Sequence, residues 1–182
     1  MAESVILSTH ASAEGVLAAL GTSDLLSVGV DTLTGWSTGP SGWRPADRWL
    51  RARYPEVRAS VAAPNSLYGS MSLGGMAVLL ALRSRQPGVL VTEAHPKVLR
   101  WALWHRRYDY GVEARQMDAD LGLALGVDLR TANDHEWDAA ASALAALHDL
   151  RDDWPRDLHA LDPADGERLV RPCGTTRYVW PE

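Results

Sequence analysis

The chain has 182 residues, 46% of them hydrophobic and 23% charged, with a formal net charge of -5. That composition suits one globular domain with a substantial core, and it excludes a global basic field, so nucleic acid binding would need a local patch. Cys173 is the only cysteine, which excludes an intrachain disulfide and a cysteine-cluster metal site. No apolar run approaches the ~20 residues of a membrane span, and Met1 to His10 lacks the basic start of a secretion signal. A cytoplasmic protein without a membrane segment is expected. Lys97 is the only lysine, so nearly all positive charge is arginine.

In chain order, Val5 to Ser8 is a candidate short strand. A helix is expected over Ala11 to Leu20, with Ser12 or Thr9 as N-cap and Gly21 as C-cap. Leu25 to Val30 is short, apolar and bounded by turn residues, which predicts a buried strand ending in Asp31. A loop rich in Gly, Ser, Thr and Trp follows. Pro45 then opens a helix over Pro45 to Arg53 that displays Arg44, Asp47, Arg48 and Arg51. Arg44 and Arg48 beside the Asp31 loop suit a phosphate, while a solvated face with an Asp47 to Arg51 pair suits the same spacing.

Val57 to Ala63 reads as a strand or extended segment. The loop holding Asn65 leads into a helix over Gly75 to Ser84 and matches neither GxGxxG nor the P-loop. Val89 to Glu93 repeats the plan of the first strand and is followed by His95, Pro96 and Lys97. A helix to about Tyr108 follows, with Trp101, Trp104 and Tyr108 as a core or interface stripe. Gly111 to Asp128 reads as a loop with a helical turn. Asn133 and Glu136 form a capping-box pattern before an alanine-rich helix to Leu150, and Arg177 to Trp180 can add a final strand or strap.

Asp31 and Glu93 stand at two strand ends, and Asp134 and Asp138 share a face at the start of a helix. If that helix crosses the sheet, the four converge. Converging carboxylates bind hard divalent cations or shift their pKa values to act as acid and base. Each acid also has a structural use. Asp134 suits the helix dipole, Asp31 can cap a turn, and Glu93 can pair with Lys97 or Arg100. Asp138, amid alanines, most needs a partner. Asp31, Glu93, Asp134 and Asp138 are the candidate catalytic set, with Asp31, Glu93 and Asp138 sharing Mg²⁺ or Mn²⁺. Arg44, Arg48, Asn65, His95 and Lys97 are the candidate substrate contacts. A zinc site of His95, His135 and His148 lacks supporting spacing.

The segments VGVDTLTGW, RPADRWLR, PNSLYGSM, TEAHPKVL, NDHEWDAAASALAAL and PCGTTRYVWPE, in that order, resemble the domain-of-unknown-function family 429, whose members are described as predicted nucleases on the ribonuclease H-like fold. The resemblance runs from about Leu25 onward. It implies a mixed α/β sheet flanked by helices and an acidic Mg²⁺-type site carried onto Asp31, Glu93, Asp134 and Asp138. Ribonuclease H-like domains open with a three-strand meander that bears a leading acid, whereas this chain has room for one strand before its first helix. A shortened meander is therefore expected, with the open sheet edge covered by a second copy or another protein. The functional expectations are a metal-dependent nuclease or phosphodiesterase, a non-catalytic descendant of that fold that binds a partner, and a small-molecule hydrolase using the same acids.

Overall fold

The computed structural model describes residues 5–63, 69–164 and 166–182, with the side chains of 69–71 set aside. Its centre is a parallel pair of neighbouring strands, β1 (Ser27–Val30) and β3 (Leu90–Glu93), in register from Ser27 opposite Leu90 to Val30 opposite Glu93. The two apolar runs that each end in an acid are thus parallel neighbours. The connection between them holds β2 (Trp36–Ser37), α2 (Pro45–Arg53), a 3-10 turn (Pro55–Ser60) and α3 (Gly69–Arg85). On the far side of β3, Arg177 adds a parallel bridge to Thr92, donating its N–H to Val91 and accepting from Glu93. Two small antiparallel pairs complete the strands. β2 pairs with β5 (Leu169–Val170), and β4 (Arg156–Asp157) pairs with β6 (Val179–Trp180).

The helices are α1 (Ala13–Leu20), α2, α3, α4 (Pro96–Trp104), α5 (Tyr110–Leu125) and α6 (Asp134–Arg151). α6 crosses the central strands, and the reason is local. A Cβ on Gly29 would lie 1.8 Å from the Ser142 carbonyl oxygen, so β1 omits a side chain where the helix backbone passes. Ala140, Ala141, Ala145 and Ala146 are buried along the same helix. Leu79 of α3 meets Val89, Val91 and Cys173 in one cluster. Met117 and Leu121 of α5 pack with Trp137 and Leu144 of α6. A third cluster joins Leu50, Tyr54, Val98 and Leu99 to Trp154, Tyr178 and Trp180.

The architecture is mixed α/β, but the described residues form two-stranded sheets extended by a single bridge, and no ribonuclease H-like sheet is evident. Val5 to Ser8 is not a strand, because no neighbour among the described residues pairs with it and Ile6 is 91% exposed. Of Val57 to Ala63, Val57 to Ser60 is 3-10 helix rather than extended, and Val61 after it is extended. The chain coils from Pro55 into 3-10 turns, with Val61 donating to Arg58 and the Arg51 guanidinium binding the Arg58 and Val61 carbonyls. Gly111 to Asp128, expected as a loop, is mostly α5. The helix after Pro96 stops at Trp104, where His105 turns left-handed at φ 53°. No helix among the described residues is long and apolar enough to cross a membrane.

Candidate active-site cleft

The carboxyl ends of β1 and β3 open into a cleft of about 340 Å³. Five expected site residues line it: Asp31, Arg44, Glu93, His95 and Lys97. Parallel strands explain the convergence, since polar residues just past their carboxyl ends face one crevice. Asn65 lies outside the described residues. Arg48 lies outside the cleft lining and grips Glu167 with its two terminal guanidinium nitrogens, at 2.8 and 3.1 Å. Asp134 is exposed in the first turn of α6.

The floor is a closed ionic network. Arg44 is 3% exposed, and all five of its N–H donors have acceptors. Nε donates to Asp47, Nη1 to Glu93 and the Gly35 carbonyl, and Nη2 to Asp47 and Glu93, at 2.6 to 3.3 Å. Glu93 also accepts from the Thr34 amide at 2.9 Å and the Thr34 hydroxyl at 2.8 Å, and His159 Nε2 lies 3.4 Å away. Burial alone would discourage ionisation of Glu93, but Arg44 and His159 hold its carboxyl well below the usual range. A carboxylate so engaged has little capacity left for a cation, and Arg44 has no free donor for a phosphate. Asp47, Thr34 and His159 were not expected here. The sequence trace of the arrangement is the Arg44-Pro45-Ala46-Asp47 helix start, where Asp47 also accepts the Arg44 amide at 3.2 Å.

The mouth differs from the floor. Asp31 is open to solvent yet ringed by protein, and its pKa is pushed up to about 7 by desolvation, then by the charge of Asp138, with Lys97 opposing. Asp138 is half-buried and raised to about 6, again first by desolvation, with Tyr108 and Lys97 opposing the rise. The charge of Asp138 is felt at Asp31 and that of Lys97 at both, although Asp138 does not itself line the cleft. His95 caps α4 at the cleft wall. Its Nε2 lies 3.1 Å from the Ser60 carbonyl, which only accepts, so that nitrogen carries the hydrogen. Burial pushes the ring down to about 4, so it is neutral at pH 7, and Nδ1 is buried without a hydrogen-bond partner.

The expected three-carboxylate cation site is not formed: among the described residues no three His, Cys, Asp or Glu side chains are grouped to hold a metal ion. The physical reason is the Arg44 to Glu93 pairing. His95, His135 and His148 likewise form no common group, and His148 instead pairs with Asp153 at 2.6 Å and stacks on Trp154. Asp31 and Asp138 are carboxylates, the oxygen-donor type that Mg²⁺ takes, commonly one or two at a time with waters and substrate oxygens in the other positions. Tyr108 packs against the Met117, Leu121 and Trp137 cluster, as expected of the stripe, and Asp138 acts on its hydroxyl. No family model, curated protein or solved structure matches the chain.

Proposed function

We propose that the cleft belongs to a divalent-cation-dependent phosphodiesterase-type hydrolase of the ribonuclease H-like class, acting on nucleic acid. The observation that carries this reading is the cleft at the carboxyl ends of a parallel strand pair, lined by Asp31 and Lys97 and within reach of the charge of Asp138 on α6. Desolvation raises the pKa values of both carboxylates, with the charge of Asp138 adding at Asp31 and that of Asp134 adding at Asp138, and a divalent cation relieves such repulsion. The order of the six motifs supports the ribonuclease H-like assignment.

In this reading Asp31 and Asp138 hold Mg²⁺ or Mn²⁺, and Asp134 stands at the rim. Such an ion supplies charge stabilisation for the oxygens of a phosphodiester undergoing displacement. The chain's own residues do the rest. Lys97, exposed at the mouth, offers its ammonium to a phosphate oxygen. The Arg44 to Glu93 network fixes the end of β3, and thereby His95 and Lys97, relative to Asp31. Neutral His95 can accept a proton at Nδ1. Calorimetric titration with Mn²⁺ tests the reading. Asp138→Asn should weaken Mn²⁺ binding at least about tenfold, a change of about 1.4 kcal/mol, and abolish hydrolysis of bis(4-nitrophenyl) phosphate. Equal Mn²⁺ binding by wild type and variant would sink it.

A second reading is favoured by one observation, the engagement of Glu93 by Arg44, which removes an acid from the site. In that reading the chain is a non-catalytic descendant acting as a protein-binding or assembly module. β1 has β3 as its only strand partner among the described residues, which leaves its other edge for a second copy or another protein. Mn²⁺ binding without any hydrolysis, together with a dimer in sedimentation, would favour it.

A further inference from the structure

The outer edge of β1 is unpaired. In a parallel pair, alternate residues turn their N–H and C=O toward the neighbouring strand, and the Val30 carbonyl accepts from the Ala94 amide at 2.8 Å. Ser27 and Gly29 therefore turn their backbone groups away from β3, and among the described residues no backbone group pairs with them there. All four residues of β1 are partly exposed, and Leu26 at its foot is 75% exposed. Backbone groups left open in this way are satisfied by an extended chain or by water.

Val5 to Ser8 has the matching deficiency. Val5 and Ile6 are β-branched, a type enriched in strands, and among the described residues the backbone of Val5 to Ser8 bonds to no other backbone. Leu7 packs against the Met117, Leu121 and Trp137 cluster, while Ile6 is 91% exposed. Thr9 then tethers the segment to Asn133 and Glu136 at the start of α6, beyond the point where α6 crosses β1 at Ser142, so the segment stays off its own β1. Neither Val5–Ser8 nor Ser27–Val30 carries a charge. Two copies of a chain with net charge -5 can therefore pair these segments without setting like charges opposite one another. Resting on the open-edge reading above, we propose that the occupant of the β1 edge is Val5–Ser8 of a second copy, exchanged reciprocally in a twofold dimer. Each copy gives one strand and receives one. The β1 and β3 pair gains a third strand, and Ile6 is brought beside the partly exposed Val28 and Val30. The dimer forms whether or not the cleft holds a cation.

Sedimentation equilibrium of the full chain over a micromolar concentration series, with amide hydrogen exchange on the same samples, tests the pairing. Wild type should dimerise, and the amides of Ser27 and Gly29 should slow together with alternate amides of Val5 to Ser8 as dimer forms. Ile6→Asp places a charge in the exchanged strand, so its dimer should be at least about tenfold weaker. Its urea midpoint, measured below the dimerising range, should stay at the wild-type value, because Ile6 is exposed in the single chain. Leu123→Asp, at a residue of α5 that is 86% exposed, should dimerise as wild type does. A wild type that stays monomeric overturns the proposal and the second-copy form of the module reading with it. An Ile6→Asp dimer as tight as wild type, or one weakened no more than Leu123→Asp, overturns the strand exchange alone and leaves the module reading standing. Slowed Ser27 and Gly29 amides that Ile6→Asp does not restore show β1 pairing with β1, and overturn it too.

Discussion

Two glutamate and aspartate side chains that look alike in sequence end in opposite electrostatic situations. Glu93 and Asp31 both follow an apolar strand, yet Glu93 is 2% exposed and locked to Arg44, whereas Asp31 stands open at the mouth with its charge resisted. The difference comes from a partner 49 positions away in the chain for Glu93, against a like-charged neighbour for Asp31. Breaking a buried ion pair from one side strands a charge without compensation, at about 3–5 kcal/mol. Glu93→Gln should therefore lower unfolding stability by about that amount in urea titration, since Arg44 and Asp47 would remain buried with one carboxylate too few. A loss below about 1 kcal/mol, the range of an exposed pair, would show that the network does not hold the floor.

At the scale of elements, α6 and α5 are formed in different ways. Asn133 accepts the Glu136 amide at 3.0 Å, acids fill the first turn, and alanines fill the packing face, so α6 is written into its own segment. α5 is not. It carries Gly111 and Gly122, departs from helical geometry at Glu113, and is held by contacts from elsewhere. Arg100 of α4, fully buried, reaches Glu113 at 3.0 Å and Asp120 at 3.3 Å. The Gly122 position also lies against the Val127 carbonyl. The closeness of α6 to β1 gives a direct test. Gly29→Ala would force a methyl into the Ser142 backbone, which cannot rotate away, and should cost at least the upper end of the about 1–3 kcal/mol typical of overpacking. Thermal unfolding of that variant reads the cost, and a midpoint within a degree or so of wild type would refute the contact.

For the whole molecule, the acids of the mouth and floor set how stability follows pH. Asp31 at about 7 and Asp138 at about 6 keep protons in the folded state that an unfolded chain has already released. Stability from this pair is therefore highest in acid and is lost as pH rises through that window. His95, lowered to about 4, works the other way, because the unfolded chain takes up a proton near 6.5 that folded His95 refuses. Glu93, also lowered, contributes stability above the ordinary carboxylate range that is lost on further acidification. Between pH 8 and 6.5 the carboxylate pair dominates. In a metal chelator, wild type should gain up to about 1 kcal/mol on going from pH 8 to 6.5, a figure kept small because Asp31 is open to solvent. The doubly substituted Asp31→Asn, Asp138→Asn chain should show no such gain. A wild type that loses stability over that interval would contradict the assignment.

The sequence by itself determined the local elements whose signals are complete within a few residues. Pro45 to Arg53, the Asn133-capped α6, the Gly21 cap of α1 and the two apolar strands with an acid at each end were all legible, because proline, cap residues and periodicity act over one or two turns. The meeting of Asp31, Glu93, His95 and Lys97 in one cleft was also legible, since parallel strands place their carboxyl ends side by side. Only the tertiary structure decided the fate of each charge. Arg44 was equally suited to a phosphate or to solvent until Glu93 arrived from β3, and Tyr108, which packs as its spacing suggests, meets the charge of Asp138 only because α6 brings it there. Desolvation and pairing are set by neighbours tens of residues distant, and a side chain carries no local mark of which neighbour folding will bring.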